Sequence, residues 1–360
     1  MKKALLIILL APPLLAVTLA ALTGSSLRPL PAAPAGAAMV YQGSVEDQRE
    51  CAEGVKGAAG VELIDPPLGK VSFLDGTNGW GIRNHGLWKT ENGGRSWTPQ
   101  RSAPADALNV QGTMYEVQFT SSNTGWLLES GDLLRTRDGG SSWQKLDLGK
   151  VTLDSCRFID DKIGWCVGQR LFSDTAEEGR KWQGLVYATR DGGDTWDLQF
   201  SAPPDDLYSG FRSVYPVSAR VVWAAGRDII YTNDGGKTWK QKHITKRDEL
   251  LGRIVRVEFL DAKTGWMTTN PGGLYLLTSD GGKSWQLRSG PHEEGFYDLV
   301  YTSPTEAYVA GVGVYRSSDG GLSWEKIVEG DNGTYLDLFH LKSENLLIVS
   351  GRRLIFRSLH

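Results

Sequence analysis

The side chains best suited to chemistry in this sequence are carboxylates that recur inside one octapeptide. The pattern Thr/Ser-x-Asp/Asn-x-Gly-x-x-Trp occurs six times, and its third position holds Asn92, Asp138, Asp191, Asp234, Asp280 and Asp319. Repeated carboxylates suggest calcium, but the octapeptide lacks the later ligand positions of an EF-hand loop. An Asp in a glycine-containing turn can instead accept hydrogen bonds from backbone N–H groups. We therefore expect these six side chains to stabilise turns.

A second group of chemically able side chains is basic and could bind a carboxylate or another anion. The stretch 237–256 contains seven Lys or Arg and two Asp or Glu, whereas the whole chain has a net charge of −3. Positive charge is therefore concentrated in part of the sequence, although charge runs often mark only a solvated rim. The complete candidate set for binding a partner is Arg83, Arg170, Arg227, Lys246, Arg247, Arg253, Arg352 and Arg353.

The three cysteines and the absence of enzyme motifs limit the metal sites and reactions that the sequence could support. Cys156 and Cys166 flank a turn, so they fit a cross-strand disulfide, but they equally fit two small buried side chains; Cys51 is left over. No Cys/His spacing predicts zinc. The sequence contains no HExxH, GxSxG, P-loop or dinucleotide fingerprint. We expect no metal, no cofactor and no catalytic residue.

The elements that must position these residues follow from the repeat. Successive closing tryptophans of the octapeptides are 46, 53, 43, 46 and 39 residues apart. One unit, 254–289, reads as four short strands that are bounded by Gly, Asp, Asn or Pro. Four antiparallel strands in each repeat of roughly 40 to 45 residues are typical of a propeller blade. The octapeptide then forms the turn between the third and fourth strands.

Counting the units gives the architecture. Six units carry the octapeptide, and a seventh, 334–358, has only three strands. The β-prone segment 61–67 is expected to supply the missing strand and to remove the exposed edges. We therefore predict an all-β fold over 61–358: a seven-bladed β-propeller of four-stranded antiparallel blades, its ring closed by an N-terminal strand.

The blade topology predicts where the basic residues lie. Turns between the second and third strands share one face with the connections between blades, opposite the octapeptides. The eight candidate residues belong to these turns and connections, and we call their common surface the basic face. The segment 171–184 interrupts the third blade after Arg170, and it is either a functional loop above this face or a degenerate octapeptide.

The octapeptides resemble Asp-boxes, the bacterial neuraminidase repeats. Together with the in-phase Phe and Gly-Trp positions, they more closely resemble the photosystem II assembly and stability factor family, over roughly 61–358. This resemblance implies a non-catalytic propeller that binds protein during assembly of a membrane complex. The alternative is a glycan-directed, sialidase-like hydrolase or lectin that uses the arginines on a sugar carboxylate. The first reading is favoured because no Tyr-Glu pair of the sialidase type can be assigned.

The N-terminal sequence predicts export. Lys2 and Lys3 precede the uncharged, mostly apolar stretch 4–22, so 1–27 is a signal peptide or an N-terminal membrane anchor. The segment 28–60 is a Pro/Ala-rich linker followed by an irregular stretch. We expect a periplasmic, lumenal or extracellular location, with membrane association through the N-terminal segment.

The expected partner is a protein with an acidic segment. A sequence pI of about 6.0 and export both argue against nucleic acid. Nothing in the sequence predicts self-association, so we expect a monomer.

Overall fold

The structure is a computed structural model that describes residues 61–64, 68–83, 86–101, 114–175, 179–204, 210–244, 253–270, 273–291, 295–328, 335–351 and 354–358. The predicted signal or anchor (1–27) and the linker (28–60) lie outside these ranges. Within them, no helix is long and apolar enough to span a membrane.

Every regular element of the described ranges is a β-strand, and the strands form seven four-stranded sheets. Blade 1 contains β2 (Val71–Phe73), β3 (Gly79–Arg83), β4 (Gly86–Thr90) and β5 (Thr98–Arg101). Blade 2 contains β6 (Met114–Phe119), β7 (Gly125–Glu129), β8 (Asp132–Thr136) and β9 (Gln144–Lys145). Blade 3 contains β10 (Thr152–Phe158), β11 (Gly164–Thr175), β12 (Gly179–Thr189) and β13 (Asp197–Ser201).

The remaining sheets follow the same order along the chain. Blade 4 contains β14 (Phe211–Pro216), β15 (Val222–Gly226), β16 (Ile229–Thr232) and β17 (Lys240–Gln241). Blade 5 contains β18 (Arg253–Phe259), β19 (Gly265–Asn270), β20 (Leu274–Thr278) and β21 (Gln286–Ser289). Blade 6 contains β22 (Asp298–Tyr301), β23 (Ala307–Gly311), β24 (Gly313–Ser317) and β25 (Glu325–Val328). Blade 7 contains β1 (Val61–Ile64), β26 (Tyr335–Leu341), β27 (Leu346–Gly351) and β28 (Leu354–Ser358).

Blade 7 joins the two ends of the described chain. Its strand order is β1-β28-β27-β26, and β1 pairs antiparallel with β28, with Val61 opposite Arg357 and Ile64 opposite Leu354. The first strands of most neighbouring blades contact one another, and β26 contacts β2. The predicted pairing of an N-terminal strand with the C-terminal sheet is confirmed. The all-β propeller class and the four-stranded antiparallel blades are confirmed as well.

The Gly-Trp motifs of blades 1 and 2 have a packing origin. The Trp80 ring stacks on the Phe119 ring of the next blade with centroids 3.5 Å apart, and Trp126 stacks on Phe158 at 3.6 Å. A Cβ atom at Gly125 would lie only 2.6 Å from the Phe119 ring. The glycine therefore makes room for the phenylalanine of its own blade, and the tryptophan connects that blade to the next.

In the octapeptide turns, the carboxylates accept hydrogen bonds from backbone N–H and hydroxyl groups of the same turn. Asp138 accepts hydrogen bonds from the backbone N–H of Ser142 at 2.8 Å and from its hydroxyl at 2.6 Å. The Gly140 N–H donates to the Thr136 hydroxyl at 2.9 Å, and the Trp143 indole donates to the Gly140 carbonyl at 3.0 Å. The Ser142 hydroxyl and N–H lower the pKa of Asp138 to about 2. Equivalent contacts occur at Asn92, Asp191, Asp234, Asp280 and Asp319.

Candidate functional site

The basic face lies partly within the described residues. Arg83 ends β3, Arg170 lies in β11, Arg227 lies in the turn between β15 and β16, and Arg253 begins β18. Antiparallel order puts these four positions at the same end of blades 1, 3, 4 and 5. The other four members fall outside the described ranges: Lys246, Arg247, Arg352 and Arg353.

Local contacts orient two of these arginines. The Arg83 guanidinium lies 5.7 Å from the centroid of the Trp88 ring, a distance that suits a cation–π contact. The Arg170 guanidinium donates to the side-chain oxygen of Gln183 at 2.7 Å, and Gln183 is itself buried. Arg227 is exposed. Neutral partners leave the charge of Arg83 and Arg170 available to an anion.

Arg253 lies near enough to Asp154, a largely buried carboxylate of blade 3, to affect its pKa. Burial raises the pKa of Asp154, while the positive charges of Arg212 and then Arg253 act against this rise. Arg212 and Asp154 form an ion pair at 2.5 Å between the first strands of blades 4 and 3. The positive charge of Arg253 therefore acts on an ion pair that joins the first strands of blades 3 and 4.

The central channel is a second concentration of charge. Side chains from the first strands of all seven blades line a cavity of about 240 Å³, which we call the central channel. These include Ser72, Gln118, Arg157, Tyr215, Glu258, Val300 and Asp337.

Arg256 is the centre of the main ion-pair network in this channel. Its guanidinium lies 2.7 Å from a carboxylate oxygen of Asp298, 3.5 Å from one of Glu258 and 3.7 Å from one of Asp337. Asp337 also pairs with Lys70. The network therefore connects blades 5, 6, 7 and 1. A further pair, Arg157 with Glu116, connects blades 3 and 2.

Side chains on the first strands also bond to the backbone of the next blade. Five junctions of the described part show an acceptor on one first strand receiving a hydrogen bond from a backbone N–H of the following one. The pairs are Asp337–Val71 at 3.2 Å, Ser72–Phe119 at 3.2 Å, Glu116–Cys156 at 3.0 Å, Ser213–Val257 at 3.1 Å and Asp298–Leu338 at 2.9 Å. A buried polar group without a partner destabilises the fold. These hydrogen bonds therefore favour the observed contacts between neighbouring blades.

Burial sets the protonation of the channel carboxylates. It raises the pKa of Glu258 to about 7, against the opposing charge of Arg256. It raises the pKa of Asp337 to about 6, against Lys70 and with repulsion from Asp298. Burial also acts on Asp298, but Arg256, Lys70 and the Leu338 N–H outweigh it and lower the pKa. Burial therefore raises the pKa values of two channel carboxylates, Glu258 and Asp337, above their ordinary values.

Sequence reasoning missed the channel network. The sequence feature that indicates this network is a charged residue at alternate positions of a first strand, as in Arg256-Val257-Glu258-Phe259. Arg256 also belongs to the basic stretch 237–256, but the structure places it in the channel and pairs it with acids. Among the described residues, no group of three His, Cys, Asp or Glu side chains could hold a metal ion. The network connects blades, and its geometry suits stability rather than chemistry.

The two cysteines of blade 3 are bonded. Cys156 and Cys166 are directly opposite in β10 and β11, with Cα atoms 4.2 Å apart. Both are buried. Of the two readings of the sequence, the structure contains the cross-strand disulfide; Cys51 lies outside the described residues.

The insertion 171–184 is an extension of β11 and β12 rather than a further octapeptide turn. Leu171 is opposite Trp182, and Asp174 is opposite Arg180. The extension starts immediately after Arg170, at the end of blade 3 that carries the basic face.

Comparison with known proteins identifies the family. A family model described as "Photosynthesis system II assembly factor YCF48" matches residues 101–195, 183–290 and 218–358. The photosystem II assembly lipoprotein Ycf48 of Synechococcus sp. (strain CC9902) is 29% identical over 159 residues, which cover 43% of this chain and 46% of that protein. The chloroplastic photosystem II stability/assembly factor HCF136 of Arabidopsis thaliana is 26% identical and covers 38% of each chain. The matched part thus spans less than half of each relative.

Solved structures show the same fold. A structure titled "YCF48 bound to D1 peptide" has a TM-score of 0.61 and 21% identity, and the match covers 83% of this chain and 94% of that one. YCF48 from Cyanidioschyzon merolae has a TM-score of 0.60 and 17% identity, covering 83% and 98%. An ancestral GH74 enzyme has a TM-score of 0.60 at 15% identity, and covers 83% of this chain but 46% of its own; such identities show the fold alone. Because the family model matches well over half of the sequence, the chain belongs to the photosystem II assembly factor YCF48 family.

Proposed function

We propose that this chain is a non-catalytic assembly factor, a seven-bladed propeller that binds an acidic segment of a membrane-complex protein through its basic face. The observation that carries the proposal is the family match over 101–358. The related proteins are named as photosystem II assembly proteins. The structural neighbour titled as bound to a D1 peptide supports a peptide as the ligand class.

The geometry supports binding by a rigid surface. Ion pairs and backbone bonds around the channel hold the blades, so little reorganisation is needed when a ligand contacts their loops. Arg83, Arg170, Arg227 and Arg253 spread positive charge over one end of four blades. Charges arranged in this way raise the rate of encounter and orient an acidic ligand more than they add affinity.

Export of the chain is part of the proposal. The apolar stretch 4–22 would direct secretion, and it contains no Cys for lipid attachment, although relatives are named as lipoproteins. We propose a monomer on the outer side of the membrane, held there if the apolar stretch is retained. Fractionation with an alkaline wash tests this point, because a retained anchor stays with the membrane and a cleaved chain is released.

Titration with a fluorescent D1 peptide tests the ligand class. We expect the full chain to bind the peptide with an affinity that falls as salt is added, because screening weakens exposed charge pairs. A peptide of the same composition in scrambled order is the control for charge alone. Equal binding of both peptides would contradict a specific site, and absence of binding at low salt would contradict the proposal as a whole.

A further inference from the structure

One arginine of the basic face is held by an amide rather than by a carboxylate. Arg170 in β11 lies directly opposite Gln183 in β12, and its Nε–H and Nη2–H groups both donate to the Gln183 Oε1 atom, at 3.0 and 2.7 Å. No ion pair among the described residues includes Arg170. Other arginines between blades are held by acids, as in the pairs Arg101–Glu129, Arg135–Asp194 and Arg212–Asp154. Arg170 is therefore fixed without neutralisation of its charge.

The other end of the Gln183 side chain sets the orientation of its amide. The Gln183 Nε2–H group donates to the backbone carbonyl of Ala202 at 2.9 Å, and Gln183 is buried. A carbonyl can only accept and a guanidinium can only donate, so a single orientation of the amide satisfies both partners. A carboxylate at position 183 would lose the bond to Ala202 and neutralise Arg170. Glutamine therefore holds the guanidinium and leaves its charge in place.

The bonds to Gln183 use one edge of the Arg170 guanidinium. That edge consists of Nε and Nη2, whereas Nη1 and the second N–H of Nη2 form the end-on edge. Two parallel N–H groups on one edge match the two oxygens of a carboxylate in a bidentate contact. Because the side chain is already fixed in the unbound chain, a ligand that meets this edge loses less affinity to side-chain ordering.

We propose that Gln183 is a positioning residue of the basic face, which holds Arg170 so that its end-on edge receives one carboxylate of the acidic segment in a bidentate contact. This inference rests on the proposed function, since it names one contact by which the basic face would recognise that segment. Exposed charges that move freely act mainly on encounter. A fixed guanidinium, in contrast, determines where one acidic side chain lies and slows its dissociation.

Titration of the full chain with the fluorescent D1 peptide tests the role of Gln183. Gln183→Met retains the approximate size of the side chain and the net charge, but it removes both polar contacts. We expect peptide binding to weaken between about threefold and tenfold, through faster dissociation. The dependence on salt should not change, because the charge of Arg170 remains. The matched control is Gln144→Met at the octapeptide end, where Gln144 accepts from Arg135 at 3.0 Å; this variant should bind as the parent does.

A double-mutant cycle separates positioning from a general effect on blade 3. If Gln183 acts through Arg170, then Gln183→Met should not weaken binding further in a chain that already carries Arg170→Ala. An equal loss in both backgrounds would overturn the proposal, because Gln183 would then act independently of Arg170. Unchanged affinity of Arg170→Ala alone would overturn it as well.

Failure of the proposed function gives a different result. A parent chain that does not bind the D1 peptide at low salt contradicts the proposed function and this inference together. A parent that binds, with Gln183→Met binding equally well, overturns this inference alone.

A second substitution covers the case in which Gln183→Met does not fold. Gln183→Glu retains the acceptor for Arg170 but neutralises its charge, so we expect binding at least about tenfold weaker than that of the parent. Gln144→Glu is the control for the added negative charge. Parent-like binding by Gln183→Glu would overturn the proposal.

Discussion

At the residue scale, side chains of the octapeptide turns stabilise the fold as hydrogen-bond acceptors, whereas side chains of the channel stabilise it through their charge. The octapeptide turn needs an acceptor at its third position, and blade 1 shows that an amide suffices: the Asn92 side-chain oxygen accepts the Ser96 N–H at 2.9 Å, and its amide donates to the Ser96 hydroxyl at 2.8 Å. In the channel, by contrast, the charge itself matters, because Arg256 must be balanced by acids.

The turn acceptor makes a graded prediction. Asp138→Ala should lower the melting temperature because the Ser142 N–H and hydroxyl lose their partner, whereas Asp138→Asn should retain most of the stability by forming the contacts of Asn92. Thermal unfolding of both variants measures the difference. Equal losses would show that the negative charge, rather than the acceptor, stabilises the turn.

The channel carboxylates predict the pH dependence of stability. The pKa of Glu258 is about 7 in the folded chain and 4.5 as its ordinary value, so the folded state binds more protons between these values. The free energy of unfolding should therefore fall as pH rises through this window. Asp337, with a pKa of about 6, acts in the same direction.

The octapeptide carboxylates limit this trend in acid. The pKa values of Asp138, Asp191 and Asp280 are lowered to about 2, so their contribution is present above the ordinary pKa and is lost as pH falls below it. Maximal stability is thus expected near pH 5. Glu258→Gln should flatten the slope between pH 5 and 8; a variant curve parallel to that of the parent would contradict the assignment.

At the element scale, closure of the ring depends on β1 and on the contacts of β26. A short strand in the N-terminal part of the chain supplies the outer strand of blade 7, and Asp337 bonds blade 7 to Lys70 and Val71 of blade 1. An unpaired edge strand can pair with another chain and lead to aggregation.

Removal of β1 tests its part in closure. A chain that begins at residue 68 should melt at a clearly lower temperature than one that begins at residue 40, because β28 then loses its outer partner. Circular dichroism during heating measures both chains. Coincident melting curves would show that the ring closes without β1.

The disulfide of blade 3 gives a prediction with a magnitude. Cys156 and Cys166 are 10 residues apart, so the loop-entropy model assigns the bond about 2.7 kcal/mol of stability. Cys156→Ala with Cys166→Ala should lower the free energy of unfolding by about this amount or more, because two buried side chains also shrink. Urea unfolding measures it. A loss near zero would show that the reduced chain is equally stable.

At the scale of the whole molecule, the repeat allows the fold to be predicted from the sequence but not the ion pairs of the channel. Octapeptides and Gly-Trp motifs recur locally, so strand order and blade boundaries could be predicted from the sequence. The channel pairs join residues far apart: Arg256 and Asp298 are 42 positions apart, and Lys70 and Asp337 are 267 apart. The geometry of the ring determines which residues of neighbouring first strands form pairs. The segment 171–184 can be recognised from the sequence only as an insertion, because the register of its two strands depends on the folded blade.

The proposed function requires that the positive charge at one end of the propeller binds the partner. The most direct measurement is D1 peptide affinity for the full chain with Arg83→Glu, Arg227→Glu and Arg253→Glu combined. Its control combines Lys162→Glu, Lys237→Glu and Lys283→Glu, which gives the same change in net charge among exposed side chains of the octapeptide end. We predict that the first variant binds at least about tenfold more weakly at low salt and that the control binds nearly as the parent does. Equal affinities of the two variants would contradict binding of the peptide by the basic face.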